Sequence, residues 1–278
     1  MSTLRRGFLD APHGQVHYRH CGQGPAIVLI HASPGSSKQL EKLMISLADA
    51  GHSVFAPDTP GNGDSPKLAI ETPTIADYAA ALLPVLDLLG LERPHIYGSH
   101  TGSAIAAELA IMAPDRIGQV VLEGIGVFSP EKCDAYLKTY ARPFVPDLDG
   151  AYLMQAFIFC RDQYLFFPWF ERTVAAQRIG GLPPAHDLHA WVLEVLKAAE
   201  TYPLAYHAAF SWPALDRMAL VKADTLVIAS IDDPLLAGSI EAANLLNSGR
   251  METLPGYLDP EFSRQRKALI TDFTLKVA

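Results

Sequence analysis

Apolar positions along this chain follow two rhythms, and the place where they stop alternating divides the sequence. "GFLDA" and "QVHYRHCG" flank "PHG" as an antiparallel hairpin would, and "AIVLIH" is a continuous apolar run of the kind found in strands covered on both faces. "SSKQLEKLMISLADAG" has helical spacing and ends on Gly51, and "SVFAPD" reads as a strand. In "TIADYAAALLPVLDLLG" the residues Tyr78, Leu82, Val85, Leu86 and Leu89 share one helical face, with Thr74 as N-cap and Pro84 as a point of bending. The strand "HIYG", a small-residue helix and the strand "QVVLEG" complete this half. Strands separated by helices predict a mostly parallel sheet, whose ligands collect beyond the carboxyl ends of the strands.

From Gly126 to Trp212 the alternation ceases and aromatics crowd in, as in "YLKTYARPF", "QYLFFPWF" and "AYHAAFSW". Helices broken by Pro and Gly suit that composition better than further strands. The sheet pattern returns with "TLVIAS", a helix over "LLAGSIEAANLLNSG", the strand "RMETL" and a last helix "PEFSRQRKALITDFTLKV". The 278 residues therefore predict one α/β domain, residues 1–125 and 213–278, carrying a helical cap over residues 126–212.

The chemistry concentrates at "GSHTGS", Gly98 to Ser103. Glycine two before and two after a central residue, between a strand and a helix, is the layout of a nucleophile elbow. Such elbows carry Ser, Cys or Asp at the centre, and this one carries His100. Ser99 and Thr101 flank it, but on so tight a turn their side chains point elsewhere than the pocket.

Charge and cysteine content narrow the classes. With 22 Lys and Arg against 30 Asp and Glu the net charge is -8, which lacks the basic footprint that phosphate backbones require, so no nucleic-acid partner is expected. No apolar run predicts a signal peptide or a membrane span, and a cytoplasmic location is the plain expectation. Cys21, Cys133 and Cys160 lack metal-ligand spacing and predict neither a disulfide framework nor a zinc site. No cofactor is expected, and the oligomeric state is not legible.

Taken in order, the pieces resemble the α/β-hydrolase superfamily over nearly the whole length. "HASPGSS" from His31 is similar to its oxyanion loop, "DTPGNGDS" from Asp58 to its Asp-x-x-Gly-x-Gly-x-Ser turn, "GSHTGS" to its elbow, and "IDDP" to the acid-bearing turn after strand seven. The resemblance implies an eight-stranded sheet with a helical cap after strand six, closest to the haloalkane dehalogenase and epoxide hydrolase branches. It also implies acid positions at Asp233, after strand seven, and at Glu123, after strand six.

Two departures set the mechanism. The superfamily places its base histidine in the loop after the last strand, yet "LPGYLDPEF" has none, and no histidine follows His207. A Ser-His-Asp relay cannot form in its usual chain order. His100 can instead reach into the space of the missing imidazole, with one ring nitrogen toward Asp233 or Glu123 and the other toward substrate, acting as a general base. Backbone N–H groups of Ala32 and Thr101 would form the oxyanion hole. That combination suits a carbonyl substrate in a hydrolase or lyase reaction on an ester, lactone or carbon–carbon bond. It does not suit dehalogenation, which needs an elbow carboxylate.

Each residue has a plainer reading. Asp233 in "DDP" can cap the following helix, Glu123 can be an ordinary satisfied carboxylate, and His31 a structural hydrogen-bonder. His31, Ser33, Trp169, Trp191, Tyr206 and His207 are candidates to line the pocket of a small, mostly apolar substrate, although aromatics in an insertion often serve its own packing. A metal held by His31, His100 and an acid has no spacing to support it. Two classes stay open: an enzyme with His100 as base, and a ligand-binding or vestigial member of the fold without turnover.

Overall fold

The computed structural model describes residues 2–275. The hairpin strands β1 (Arg5–Ala11) and β2 (Gly14–Gly22) pair with Ala11 opposite Gly14, and β2 runs antiparallel to β4 (Ser53–Pro57). The remaining strands, β3 (Ala26–Ile30), β5 (His95–Ser99), β6 (Val120–Glu123), β7 (Thr225–Ser230) and β8 (Gly249–Leu254), are parallel to their neighbours. The eight lie in the order β1-β2-β4-β3-β5-β6-β7-β8.

Both faces of the parallel strands are covered, which is why they read as unbroken apolar runs. On one face α1 (Glu41–Ala48) and α10 (Pro260–Leu275) set Leu43, Leu47, Ile270 and Phe273 against Ile27, Leu29 and Ile228. The expected end of the last helix at Val277 lies outside the described residues. On the other face α2 (Ile75–Leu88) and α3 (Thr101–Met112) cover Val28, Ile30, Ile96 and Leu122. Thr74 caps α2 in a reciprocal box with Asp77, and the helix runs on through Pro84. An interior proline costs about 3 kcal/mol. Tyr78, Leu82, Val85 and Leu86 are each at most 2% exposed, and burial of such side chains at about 1.5–3 kcal/mol apiece outweighs that cost. The helical spacing from Ser36 resolves into a short 3₁₀ turn, Ser37–Leu40, ahead of α1, because Ser36 Oγ accepts the N–H of Lys38 and starts the turn locally.

Between β6 and β7 come α4 (Pro130–Thr139), α5 (Ala151–Leu165), α6 (Ala185–Lys197) and α7 (Tyr202–Phe210), followed by the short α8 (Ala214–Met218) and, after β7, by α9 (Leu236–Ala243). Their aromatics pack on one another: Tyr136, Tyr140, Phe144, Phe159, Tyr202 and Phe210 form a cluster of their own. The segment is tied to the sheet by Ser36 Oγ on Glu194 at 2.5 Å, Thr201 Oγ1 on the Gly61 carbonyl at 2.5 Å and Lys197 on Asp64 at 3.2 Å. The Gly61 and Asp64 anchors belong to the turn after β4, which Asp58 organises by accepting Ser37 N–H at 2.8 Å and Asp64 N–H at 3.0 Å, with His17 Nδ1 at 2.8 Å. Burial disfavours the charged carboxylate, but these donors outweigh it and hold Asp58 below the ordinary carboxylate range.

The three cysteines are free; burial pushes Cys21 up to about 11 and Cys160 up to about 12, so neither is a ready thiolate. Among the described residues no helix is long and apolar enough to cross a membrane.

Candidate active site

The elbow is built by close backbone approach. His100 is the one non-glycine residue with positive φ among the described residues, at φ 52° and ψ -111°. A Cβ on Gly98 would collide with the backbone of Gly102, and one on Gly102 with the carbonyls of Ile30 and His31, so the two glycines let α3 start directly above β3 and β5. His100 N–H donates to the Glu123 carbonyl at 2.8 Å, which locks the turn against β6. The strained geometry lifts the imidazole off the sheet and into a cavity of about 650 Å³ shared by the sheet and the helical segment above it.

At the cavity floor His100 Nε2 lies 3.3 Å from Asp233 Oδ2, with the imidazole 33% and the carboxylate 1% exposed. The pair is at ion-pairing distance but not aligned as a hydrogen bond, and Asp233 Oδ2 has no hydrogen-bond partner among the described residues. Asp233 Oδ1 takes the Leu235 N–H at 2.8 Å, so the helix-capping reading and the imidazole-facing reading each describe one oxygen. Burial works to lower the His100 pKa, but the Asp233 carboxylate outweighs it and the net shift is upward. Burial likewise opposes ionisation of Asp233, and the imidazole reverses that to a net lowering. Gly124 closes the floor: a Cβ there would sit 3.1 Å from Asp233 Oδ2 and 3.2 Å from His100 Nε2.

The second ring nitrogen does not face substrate as the sequence suggested. Nδ1 sits 3.0 Å from Ser99 Oγ, because the residue before the elbow centre turns its hydroxyl back under the ring. Nor does the Glu123 carboxylate approach the imidazole. It is 1% exposed and already engaged, accepting from Tyr97 at 2.6 Å and from Tyr257 and Arg266 at 3.3 Å each. Of the two acids proposed to orient His100, the structure brings Asp233 to the ring.

Ala32, Ser33 and Thr101 line the cavity. Thr101 opens α3, so its N–H has no partner in the helix ladder. The Ala32 N–H is taken by Gln39 Oε1 at 3.2 Å, so the backbone donor expected for an oxyanion is occupied by an amide oxygen of the same loop region. Trp191 and Tyr206 also line the cavity, Tyr206 within 3.4 Å of Gln163.

Three candidates fall elsewhere. His31 is 1% exposed and spans Ala32 O at 2.9 Å and Thr59 N–H at 3.0 Å, a structural brace whose pKa burial lowers. Trp169 gives its Nε1–H to Tyr140 O at 2.9 Å inside the aromatic cluster. His207 lines a separate cavity of about 600 Å³ beside α2 and α8.

Two residues went unnoticed in the sequence. Arg178, a half-buried cation on the cavity wall held by Gln163 O at 2.7 Å, acts electrostatically on both His100 and Asp233, but lies in a segment without periodicity. Tyr257 follows the Pro-Gly pair where a base histidine was sought, lines the cavity, and packs at a tilt of 41° against Phe262 with ring centres 4.5 Å apart.

A cleft at the carboxyl ends of parallel strands, with an elbow and an acid after β7, defines a class, and comparison agrees. The family described as the alpha/beta hydrolase fold matches residues 25–255, and this chain belongs to it. It is 29% identical over 229 residues to a 2-hydroxy-6-oxo-6-phenylhexa-2,4-dienoate hydrolase of Comamonas testosteroni, covering 78% of this chain and 74% of that protein. A Burkholderia cepacia protein of the same name is 29% identical over 247 residues, 83% of this chain and 80% of its own. Among solved structures, epoxide hydrolase A from Mycobacterium thermoresistibile superposes with a TM-score of 0.79 at 20% identity over 99% of both chains, a likeness of fold.

Proposed function

We propose that this chain is a cofactor-independent hydrolase that uses His100 as general base on a small, mostly apolar carbonyl compound. The observation that carries the reading is the imidazole on the elbow, open to the cavity and 3.3 Å from the Asp233 carboxylate. With Nδ1 held by Ser99, the nitrogen left to act on the cavity is Nε2. It takes a proton from a cavity water as that oxygen bonds to the substrate carbonyl carbon, and Asp233 stabilises the imidazolium that forms. The Thr101 N–H, and the Ala32 N–H once Gln39 swings aside, receive the developing oxyanion. When the tetrahedral centre collapses, the bond to the leaving group breaks, its electron pair goes to the departing atom, and the imidazolium proton follows.

The substrate class draws on the named activities of the relatives. An oxo-dienoate offers a ketone carbonyl, an apolar body and a carboxylate, for which Phe128, Tyr140 and Trp191 supply an apolar wall and Arg178 a cation. Hydrolysis of such a ketone breaks a carbon–carbon bond and leaves a carbanion to be protonated.

The test is turnover of 2-hydroxy-6-oxo-6-phenylhexa-2,4-dienoate, beside a panel of esters and lactones, by wild type and His100→Ala. The expected loss is about 10²–10⁴-fold with an unchanged circular dichroism spectrum. Equal turnover by the two would remove the base assignment. Binding of the panel by wild type without turnover of any member would favour the ligand-binding reading.

A further inference from the structure

His100 holds a backbone conformation that residues other than glycine seldom adopt, φ 52° and ψ -111°. Such a conformation persists only where its surroundings over-determine it. In this turn one side chain takes part in most of the constraints, and it is neither the imidazole nor one of the glycines.

Ser103, 1% exposed, is the third residue of α3. Its N–H donates to the His100 carbonyl at 2.9 Å. Its hydroxyl hydrogen is shared between two carbonyl oxygens, that of Gly98 at 2.8 Å and that of Glu123 at 3.0 Å. The Glu123 carbonyl also accepts the His100 N–H at 2.8 Å, so both of its lone pairs are engaged. These bonds close a ring: His100 N–H to Glu123 O, Ser103 Oγ to the same oxygen, and Ser103 N–H back to His100 O. The ends of β5 and β6 are thereby joined to the first turn of α3. The peptide that carries the shared oxygen leads into Gly124, where an added Cβ would lie 3.1 Å from Asp233 Oδ2 and 3.2 Å from His100 Nε2. One carbonyl thus belongs both to the frame that lifts the imidazole and to the floor beneath the reacting pair. Packing alone does not call for a hydroxyl here, since alanine would fill nearly the same space.

We propose that Ser103 is a positioning residue: its hydroxyl, shared between the Gly98 and Glu123 carbonyls, holds the strained His100 turn against β6 and so sets His100 Nε2 at Asp233. The role rests on His100 acting as base. Without the hydroxyl, Glu123 O loses one of its two donors and the ring of bonds opens. The turn then relaxes toward commoner dihedral angles and carries the imidazole away from Asp233 Oδ2.

The placement is read without turnover, as the His100 pKa followed by NMR of histidine-labelled full-length protein, with the His100 signal assigned by its loss in His100→Gln. Burial pulls that pKa down, Asp233 and Glu123 pull it up, and Arg178 pulls it down, so retreat from Asp233 lowers it. Ser103→Ala is expected to show the lower pKa. On the dienoate probe named above its kcat is expected to fall about 10–100-fold with KM within about twofold, because a misplacement of about 1 Å can cost about 10²-fold. Ser103→Cys, close in shape but with only a weak S–H donor, is expected to fall between the two. Ser239→Ala controls for loss of a buried hydroxyl as such: Ser239 is fully buried and accepts the Ile125 N–H at 2.8 Å, outside the ring of bonds around His100. It is expected to lower Tm and leave the His100 pKa and kcat in place. A folded Ser103→Ala with the wild-type pKa and kcat overturns the proposal, and if that variant does not fold, wild-type values in Ser103→Cys do so. Equal shifts in Ser239→Ala overturn it as well. His100→Ala with full turnover would remove the base reading alone, and the His100 pKa in Ser103→Ala would still decide whether the hydroxyl places the ring.

Discussion

Replacing Asp233 by Asn removes the charge beside Nε2 while keeping the side chain's shape and its Oδ1 acceptor for Leu235 N–H. At 3.3 Å and an effective dielectric of about 20 the attraction to an imidazolium is about 5 kcal/mol. The ring is 33% exposed, so solvent screening discounts that figure, to about 2–3 kcal/mol. Loss of that much stabilisation as the imidazolium forms corresponds to a fall in kcat of about 10²-fold. The pH profile supplies the sharper readout. Asp233 is the chief group that raises the His100 pKa against burial, so in Asp233→Asn, with only the weaker pull of Glu123 left to oppose burial, the ascending limb of kcat/KM moves to lower pH. Stability follows the same pair. The raised His100 contributes stability fully present below 6.5 and lost as pH rises through its folded value; the lowered Asp233 contributes stability present above 3.8 and lost as pH falls through its own. The margin of wild type over the variant in urea unfolding is therefore expected to be widest between 3.8 and 6.5 and to narrow above. An ascending limb that stays in place in Asp233→Asn would refute the pairing of these two groups.

Three further outcomes are expected. Gly124→Ala puts a methyl 3.1–3.2 Å from both members of the pair at a backbone φ of 72°, so calorimetry should show a loss of about 1–2 kcal/mol from left-handed strain, and kcat should fall with it as the pair is wedged apart. Asp58→Asn turns amide hydrogens toward the donors His17, Ser37 and Asp64, and should cost about 3 kcal/mol and lower Tm by about 6–12 °C at neutral pH. Because the folded Asp58 pKa is depressed, that gap should close as pH falls below 3.8, which urea titrations across the acid range would measure. Arg178→Gln should raise KM about tenfold for a carboxylate-bearing substrate and leave a neutral ester of the same body unchanged; equal effects on both would remove the cation's role.

Sheet, helices and helical insertion were legible along the chain because each depends on local periodicity, and the residues that pack them are spaced at two or at three and four. The elbow was legible for a similar reason: glycines at fixed offsets report a close backbone approach that any other residue would block, whichever side chain stands at the centre. The sequence also showed that no imidazole follows β8, which left His100 as the candidate base. Where side chains end up depends on contacts between segments far apart in the chain. Glu123 and Asp233 are equal candidates on paper, and it is the arrival of Tyr97, Tyr257 and Arg266 around Glu123 that leaves Asp233 to the imidazole. His31, Trp169 and His207 carry the right chemistry in the wrong direction, since each is claimed by another neighbour or another cavity. Arg178 enters the site from an irregular segment with no periodic signature. The side of the ring that Ser99 holds was decided last, by a contact between adjacent residues that only the folded elbow turn brings about.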